Sequence, residues 1–418
     1  MTYRRRAADT ALERLLAAVP AVAVDGPKGV GKTETALQHS TVQFFLDEES
    51  QRQLVSADPQ FAGVGEGTVL LDEWQRLPFV WDSVRRAVDR HAPAGRFLLT
   101  GSATPQPGND THSGAGRILS LRMRPMAVFE RFSDGDRGVG TVLLSDLLQG
   151  GADISGTTDV VLRDYVDAIA TSGFPGITGQ PADVRTQYLD AYLQRIIDRD
   201  LPDAGYSSRS PETLRRWMRA YAAASSTTTA YSALLDATTS GDGHQPSKNT
   251  TALFRDFLTR VWILDPVPAW NSLRNPFKAA TQSPKHQLAD PALALRLQGL
   301  SGRDLTTARG SHLTGPLFES LATLSVRAAA ESVAASVSHL RTRNGDHEID
   351  LVVEGLEGEL VGVEVKLAAF VEDQDVRHLL WFREKFPEDV VDLVVLYAGT
   401  TAYRRQDGVA VIPLAMLG

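Results

Sequence analysis

The sequence of 418 residues contains no cysteine. This absence excludes disulfide bonds, zinc sites built on thiolates and a cysteine nucleophile, and it is typical of the reducing cytoplasm. No uninterrupted apolar run approaches the roughly 18 residues that a membrane-spanning helix needs, so we expect no contact with a membrane. The formal net charge of −8 argues against a surface that is basic throughout, although it allows a local basic groove. We therefore expect a globular, cytoplasmic protein.

A glycine-rich loop follows the first apolar strand. The strand predicted at 21–25 runs into a G-x-x-x-x-G-K-T sequence and then into a predicted helix. This is the spacing of the phosphate-binding loop, whose glycines let backbone N–H groups point at phosphate oxygens. Lys32 is expected to reach the β- and γ-phosphates, and the Thr33 hydroxyl to ligate Mg²⁺. The predicted cofactors are ATP and Mg²⁺, and the predicted binding residues are Gly26, Pro27, Lys28, Gly29, Val30, Gly31, Lys32 and Thr33.

A second apolar strand ends in two acidic residues. Val69, Leu70 and Leu71 precede Asp72 and Glu73. In nucleoside triphosphatases a buried strand delivers such an Asp to the Mg²⁺ shell, and the following Glu orients or deprotonates the attacking water. The alternative is a strand that ends in solvated acids. Because the phosphate loop lies upstream, we predict that Asp72 is a metal ligand and that Glu73 is catalytic.

Two further residues are candidates for contact with the transition state. Ser102 ends the next apolar strand and is placed to sense the γ-phosphate, although a polar strand end is also an ordinary turn. Arg117 follows a glycine-rich bend and is a candidate to neutralise transition-state charge, in its own subunit or in a neighbour within a homo-oligomer. The alternative for Arg117 is a solvated surface position.

The order of the predicted elements indicates an α/β fold in three parts. Short apolar strands alternate with helices in the first part, which predicts a parallel α/β sheet that carries the P-loop. The second part is mainly helical, and strands return in the third part. The predicted strands are 43–47, 68–73, 96–102, 348–353, 362–365 and 391–396. The predicted domains are 1–135 for the ATPase, 158–305 for the helical domain and 306–418 for the C-terminal α/β domain.

A cluster of carboxylates and a lysine is predicted in the third part. Asp350 lies on one predicted strand, and Glu364 and Lys366 lie on the next, where alternation places them on one face. Two carboxylates can hold a Mg²⁺ ion that activates water, and the lysine can stabilise charge on a phosphate, while Glu319 on the preceding helix can complete the site. This pattern looks like that of PD-(D/E)xK nucleases, with Asp350 and Glu364 as metal ligands. The alternative is a surface hairpin with cross-strand ion pairs.

Several short motifs occur along the chain. The specific ones are Gly-Pro-Lys-Gly-Val-Gly-Lys-Thr (26–33), Leu-Leu-Asp-Glu-Trp-Gln-Arg-Leu-Pro (70–78), Leu-Leu-Thr-Gly-Ser (98–102) and Gly-Arg (116–117) with Arg-Pro-Met (124–126). The looser ones are Gly173-Phe174-Pro175, Tyr192-Leu193 through Arg199-Asp200, and Ser283-Pro284-Lys285 with Asp290. Together they resemble the prokaryotic AAA-type ATPases (AAA_14) that carry a C-terminal domain called DUF4143. Two departures from the family pattern, Glu34 and Trp74, do not touch the phosphate chemistry.

This resemblance implies an AAA-like ATPase, and it suggests a winged-helix arrangement in the middle domain. The segment 206–278 carries nine Lys and Arg against five Asp and Glu, a local positive excess that suits contact with DNA phosphates. The alternative is a helical packing domain that transmits ATP-driven motion.

We predict a Mg²⁺-dependent ATPase whose ATP cycle controls a nuclease-like, DNA-directed C-terminal domain. The set Glu319, Asp350, Glu364 and Lys366 favours this prediction. A non-nucleolytic ATPase switch that binds a partner protein is one alternative, favoured by the weak basic charge. A winged-helix DNA-binding regulator is the other.

Overall fold

The computed structural model describes residues 3–101, 115–133, 137–203, 211–238, 245–270, 282–342 and 345–418. Ser102, the predicted γ-phosphate sensor, lies outside these residues. The chain divides into two compact units, one formed by Met1–Arg124 with Arg260–Trp262 and the other by Pro125–Thr259 with Ile263–Gly418. No helix within the described ranges is long and apolar enough to cross a membrane.

The first unit alternates strands with helices. Its elements are α1 (Ala7–Ala18), β1 (Ala21–Asp25), α2 (Lys32–Gln38), β2 (Val42–Phe45), α3 (Glu49–Ala57), β3 (Val69–Asp72), a 3₁₀ turn (Trp74–Arg76), α4 (Phe79–Asp89), β4 (Phe97–Gly101) and β5 (Leu119–Arg122). The strands form one sheet in the order β2-β3-β4-β1-β5, and every neighbouring pair is parallel. The predicted parallel α/β sheet is therefore confirmed.

Three of the predicted strands are completely buried. Every residue of β1, β3 and β4 is buried, as expected for parallel strands that are covered on both faces. The edge strand β5 was not predicted, because Ser120 and Arg122 interrupt its apolar run. Strand β4 lies between β1 and β3, so the end of β4 separates the phosphate loop from the acidic strand end.

The second unit begins with helices. They are α5 (Val128–Arg131), α6 (Leu144–Gln149), α7 (Leu162–Thr171), α8 (Pro175–Thr178), α9 (Ala182–Arg195) with a π-helical turn (Ile196–Asp200), α10 (Leu201–Asp203), α11 (Pro211–Ala223), α12 (Tyr231–Ala237), α13 (Lys248–Arg260) and α14 (Pro291–Leu297). Beyond α13, Leu264 pairs with Leu288 and Val267 pairs with Lys285, both antiparallel. The middle of the chain is thus mainly helical, as predicted.

The C-terminal part of the second unit contains a six-stranded mixed sheet. After two 3₁₀ turns (Asp304–Thr306 and Ser311–Leu313), its elements are α15 (Thr314–Ser332), β6 (Ser336–Arg341), β7 (Glu348–Glu354), β8 (Leu360–Lys366), α16 (Asp373–Lys385), β9 (Val390–Tyr397), β10 (Tyr403–Arg404), β11 (Ala410–Pro413) and a 3₁₀ turn (Leu414–Met416). The strand order is β10-β11-β9-β8-β7-β6. Strand β8 runs antiparallel to β7 and parallel to β9. The three strands predicted here are confirmed as β7, β8 and β9.

A glycine lets α16 pack closely on this sheet. A Cβ atom at Gly362 of β8 would lie 3.1 Å from the Phe382 ring and 3.2 Å from Leu393. Both of those side chains belong to the apolar core beneath α16. The predicted helical and C-terminal domains share one compact unit, and the boundary between them stays a prediction.

Candidate nucleotide site and carboxylate–lysine cluster

The phosphate loop connects β1 to α2 through glycines that other residues could not easily replace. Gly29 and Gly31 have φ values of 77° and 103°, in the left-handed region that favours glycine. A Cβ atom on Gly26 would lie 2.3 Å from the carbonyl oxygen of Met123, so only glycine fits there. The predicted binding residues 26–33 therefore form a tight loop at the end of β1.

Lys32 opens α2 and folds its side chain back over the loop. Its Nζ donates to the carbonyl oxygens of Gly26 at 2.8 Å and Pro27 at 2.9 Å, and the side chain is buried. Burial lowers the pKa of Lys32 to about 8, although the charge of Glu73 acts in the opposite direction. The ammonium group is therefore held by neutral acceptors that a phosphate can replace.

The predicted magnesium ligands meet at the ends of α2 and β3. Thr33 Oγ1 donates to Asp72 Oδ1 at 2.8 Å, and the hydroxyl of Thr100 donates to the same oxygen. Thr100 lies at the buried end of β4 and was not predicted as a site residue. Its one signal in the sequence is its place near the end of a predicted apolar strand.

Glu73 leaves β3 in an unusual backbone conformation. Its φ is 54°, a left-handed value that costs energy for a residue with a side chain. Its N–H donates to Thr100 Oγ1 at 3.4 Å, and the Gln75 amide donates to Glu73 Oε2. The Gln75 amide thus orients the Glu73 carboxylate.

Asp25, the last residue of β1, is a second buried acid beside the loop. Burial raises the pKa of Asp25 to about 6, while a hydrogen bond with Ser120 and the charge of Lys32 act in the opposite direction. Sequence reasoning placed Asp25 in the strand and assigned it no role.

Arg117, the predicted transition-state contact, forms an ion pair with Asp89. Its Nε lies 3.0 Å from Asp89 Oδ1, and its Nη1 donates to the carbonyl oxygen of Ala115 at 3.2 Å. The Arg117 side chain is about half exposed. Its role toward a nucleotide stays a prediction.

In the second unit, the four residues predicted to converge line one cavity of about 490 Å³. Asp350 lies on β7, Glu364 and Lys366 on β8, and Glu319 on α15. The N–H of Val365 donates to Asp350 Oδ2 at 2.9 Å, and Lys366 Nζ lies 2.9 Å from Glu364 Oε1. The expected convergence on one sheet face is therefore present in the structure.

A fifth residue enters this cluster from the middle of the chain. Lys285 is 1% exposed, and its Nζ lies 2.8 Å from Glu319 Oε1 and 2.9 Å from Asp350 Oδ1. Glu348 Oε1 is 3.6 Å away. Lys285 was named from the sequence only as part of a loose motif. Its link to Asp350 was not predicted, because the two residues are 65 positions apart in the chain.

Burial and charge set the protonation of the cluster. Burial raises the pKa values of Glu319 and Glu364 to about 8, and the nearby charge of Asp350 adds to both shifts. Burial alone would also raise the pKa of Asp350, but the charge and hydrogen bond of Lys285 hold it below its usual range. Asp350 is therefore the carboxylate that keeps its charge, and Lys285 compensates it.

The cluster retains one open acceptor. Glu364 is 7% exposed, and its Oε2 has no hydrogen-bond partner among the described residues. In those same parts of the chain, no three His, Asp or Glu side chains come together in a group that could hold a metal ion. In this conformation the carboxylates are arranged around an ammonium group.

Comparisons with known protein families match three segments of the chain. Residues 19–132 match the model of an AAA domain. Together with the loop, this match identifies residues 19–132 as a P-loop domain of the AAA type. Residues 314–417 match a domain of unknown function called DUF4143, so the chain combines an AAA_14 domain with a DUF4143 domain. Residues 162–304 match another domain of unknown function, DUF8612.

The similarity to individual proteins covers most of the chain. Over 376 residues the chain is 26% identical to the uncharacterized proteins Mb2031c of Mycobacterium bovis and Rv2008c of Mycobacterium tuberculosis, which covers 88% of this chain and 74% of each relative. Among solved structures, it is similar to the Walker-type ATPase PABY2304 of Pyrococcus abyssi. That match has a TM-score of 0.43 and 14% identity and covers 71% of this chain and 96% of the other.

Proposed function

We propose that this protein is a Mg²⁺-dependent ATPase whose ATP cycle controls a nuclease-like, DNA-directed C-terminal domain. One observation carries the ATPase part: Thr33, Asp72 and Thr100 form one hydrogen-bonded group beside Lys32 and Glu73. A lysine for the phosphates, a hydroxyl and a carboxylate for Mg²⁺ and a second carboxylate for water are the parts that phosphoryl transfer needs.

The roles follow from the positions of these side chains. Lys32 leaves the loop carbonyls and binds the β- and γ-phosphates. The Thr33 hydroxyl and the Asp72 carboxylate would hold Mg²⁺. Mg²⁺ supplies neutralisation of charge on the phosphates. Glu73, oriented by Gln75, accepts a proton from the attacking water.

Replacement of Glu73 by glutamine tests the ATPase proposal. We expect Glu73→Gln to bind ATP with nearly unchanged affinity and to hydrolyse it about 100-fold more slowly, because the amide cannot accept a proton. The measurement is phosphate release at saturating Mg²⁺–ATP, and the matched control is Glu66→Gln, which changes an exposed acid of the same unit. Turnover of Glu73→Gln at the wild-type rate would contradict the role of Glu73.

The C-terminal cluster supports the nuclease-like part of the proposal. Glu319, Asp350, Glu364 and Lys366 line one cavity, and Glu364 Oε2 is an open acceptor there. Asp350 and Glu364 would be the ligands of a divalent ion that activates water, and Lys366 would stabilise charge on a scissile phosphate.

Plasmid cleavage tests this second part. We expect Mg²⁺- or Mn²⁺-dependent nicking, measured with and without ATP, to be lost in Asp350→Asn while ATP hydrolysis is retained. Glu388→Gln, an exposed acid of the same unit, is the matched control. An absence of cleavage on DNA and on RNA, with ATP hydrolysis intact, would contradict a nuclease and favour the ATPase switch that binds a partner protein.

The helical middle supports a DNA-directed role. Three helices, α11 to α13, followed by two antiparallel bridges support the predicted winged-helix arrangement. Exposed Lys248 and Arg255 lie on α13, where a recognition helix would contact phosphates. The same observation supports the alternative of a winged-helix regulator, which a DNA-binding assay on a cleavage-deficient Asp350→Asn protein would reveal.

A further inference from the structure

The position of Lys285 raises a question about how the carboxylate cluster is used. Its ammonium group lies within 2.9 Å of one oxygen each of Glu319 and Asp350, and Glu348 is the third acid nearby. The other oxygen of Asp350 accepts from the Val365 N–H. Both oxygens of the central carboxylate are therefore already engaged.

An ammonium group and a divalent ion compete for such a position. Mg²⁺ binds carboxylate oxygens at about 2.0–2.1 Å and repels a second cation that contacts the same oxygen. A metal ion on Asp350 Oδ1 would lie against the Lys285 ammonium group. The two cations therefore exclude each other at this carboxylate.

We propose that Lys285 is a built-in cation that closes the C-terminal cluster to divalent metal ions. In this conformation the cluster is then a closed ion-pair group, and a metal ion binds only after Lys285 has left Asp350. This inference rests on the second part of the proposed function, in which Asp350 and Glu364 are metal ligands, and it names the element that regulates them.

The backbone around Lys285 shows what would have to move. Lys285 and Val267 exchange two backbone hydrogen bonds of 2.9 Å, and the carbonyl oxygen of His286 accepts from the Ser226 N–H at 2.8 Å. These contacts tie the segment 282–288 to the helical middle of the chain. The cluster itself lies on α15, β7 and β8. A shift of that segment away from the sheet would withdraw the lysine and open the carboxylates.

Manganese binding to four proteins without nucleotide tests the inference. The test variant is Lys285→Met with Glu319→Gln, which removes the lysine together with one of its acids and so limits the repulsion that Lys285→Met alone would create. The matched control is Glu319→Gln, which keeps Lys285 on Asp350. The wild type is the third protein, and the fourth adds Asp350→Asn to the test variant. Mn²⁺ is titrated into each and followed by electron paramagnetic resonance.

We expect the test variant to bind one Mn²⁺ at least about tenfold more tightly than the wild type and the Glu319→Gln control. Addition of Asp350→Asn should remove that ion. If the three proteins that retain Asp350 bound Mn²⁺ equally and the fourth protein did not bind it, the inference would be overturned and the metal site would stand. An absence of Asp350-dependent binding in every protein would overturn both the inference and the metal site of the proposed function.

Discussion

The two units each contain a buried lysine beside acidic residues, and the two lysines are held in opposite ways. Lys32 donates to two backbone carbonyls of the phosphate loop, and burial lowers its pKa. Lys285 donates to two carboxylates, whose charges raise its pKa above the ordinary value although burial acts in the opposite direction. Within the described residues, no carboxylate is within ion-pair distance of the Lys32 ammonium group, whereas Asp350 and Glu319 both contact that of Lys285.

This difference indicates what each lysine can do. Neutral carbonyls give up an ammonium group readily when a phosphate with several charges arrives, because the charge-assisted bond is the stronger one. A carboxylate in a buried ion pair does not give up its partner readily, because each charge would be left without compensation. Lys32 is therefore suited to receive a ligand, and Lys285 to exclude one.

Removal of Lys285 should have the largest effect on stability. We expect Lys285→Ala to lower the free energy of unfolding of the second unit by about 3–5 kcal/mol, because the charge of Asp350 would be buried without a counter-charge. Urea unfolding followed by circular dichroism measures this change, with Lys32→Ala as the matched control. If Lys32→Ala were at least as destabilising, the contrast between the two lysines would be wrong.

The pH dependence of nucleotide binding sharpens the same contrast. The pKa of Lys32 is about 8 without nucleotide, so its ammonium group is increasingly neutral above that pH. The phosphates need the charged form, so binding must take up a proton, and affinity should fall up to about tenfold for each pH unit above 8. Titration of a fluorescent ATP analogue at several pH values measures this slope.

Lys32→Arg is the control for that slope, because a guanidinium group stays charged throughout this range. We expect weaker binding with a flatter pH profile. The same steep fall in Lys32→Arg would assign the slope to another group.

A smaller effect is expected at Thr100. Thr100→Val keeps the shape of the side chain but removes the hydroxyl that donates to Asp72 and accepts from the Glu73 N–H. We expect kcat to fall about five- to tenfold with little change in nucleotide affinity, consistent with the loss of one hydrogen bond to a charged group. Thr41→Val, whose hydroxyl bonds the carbonyl oxygen of Thr68, is the control. An unchanged kcat would show that Thr100 does not position the acids.

The sequence predicted those parts of each site that are local in the chain. The phosphate loop is one continuous segment, Asp72 and Glu73 are adjacent in the chain, and Glu364 and Lys366 lie on one strand, so spacing alone could place them. Asp350 was also predicted, because its strand is joined directly to that of Glu364.

The parts that were missed depend on contacts between distant segments. Thr100 meets Asp72 only because β4 lies beside β3, an order that no local pattern specifies. Lys285 reaches Asp350 from another predicted domain. An apolar periodicity reports which face of an element is buried and does not report which polar side chain crosses from elsewhere.

The most direct test of the claim that Lys32 is held ready to receive a ligand is a crystal structure of Glu73→Gln with Mg²⁺–ATP. The account predicts that Lys32 Nζ leaves the carbonyl oxygens of Gly26 and Pro27 and binds the β- and γ-phosphates, with Thr33 on the Mg²⁺ ion. A nucleotide bound elsewhere, with Lys32 still on those carbonyls, would contradict it.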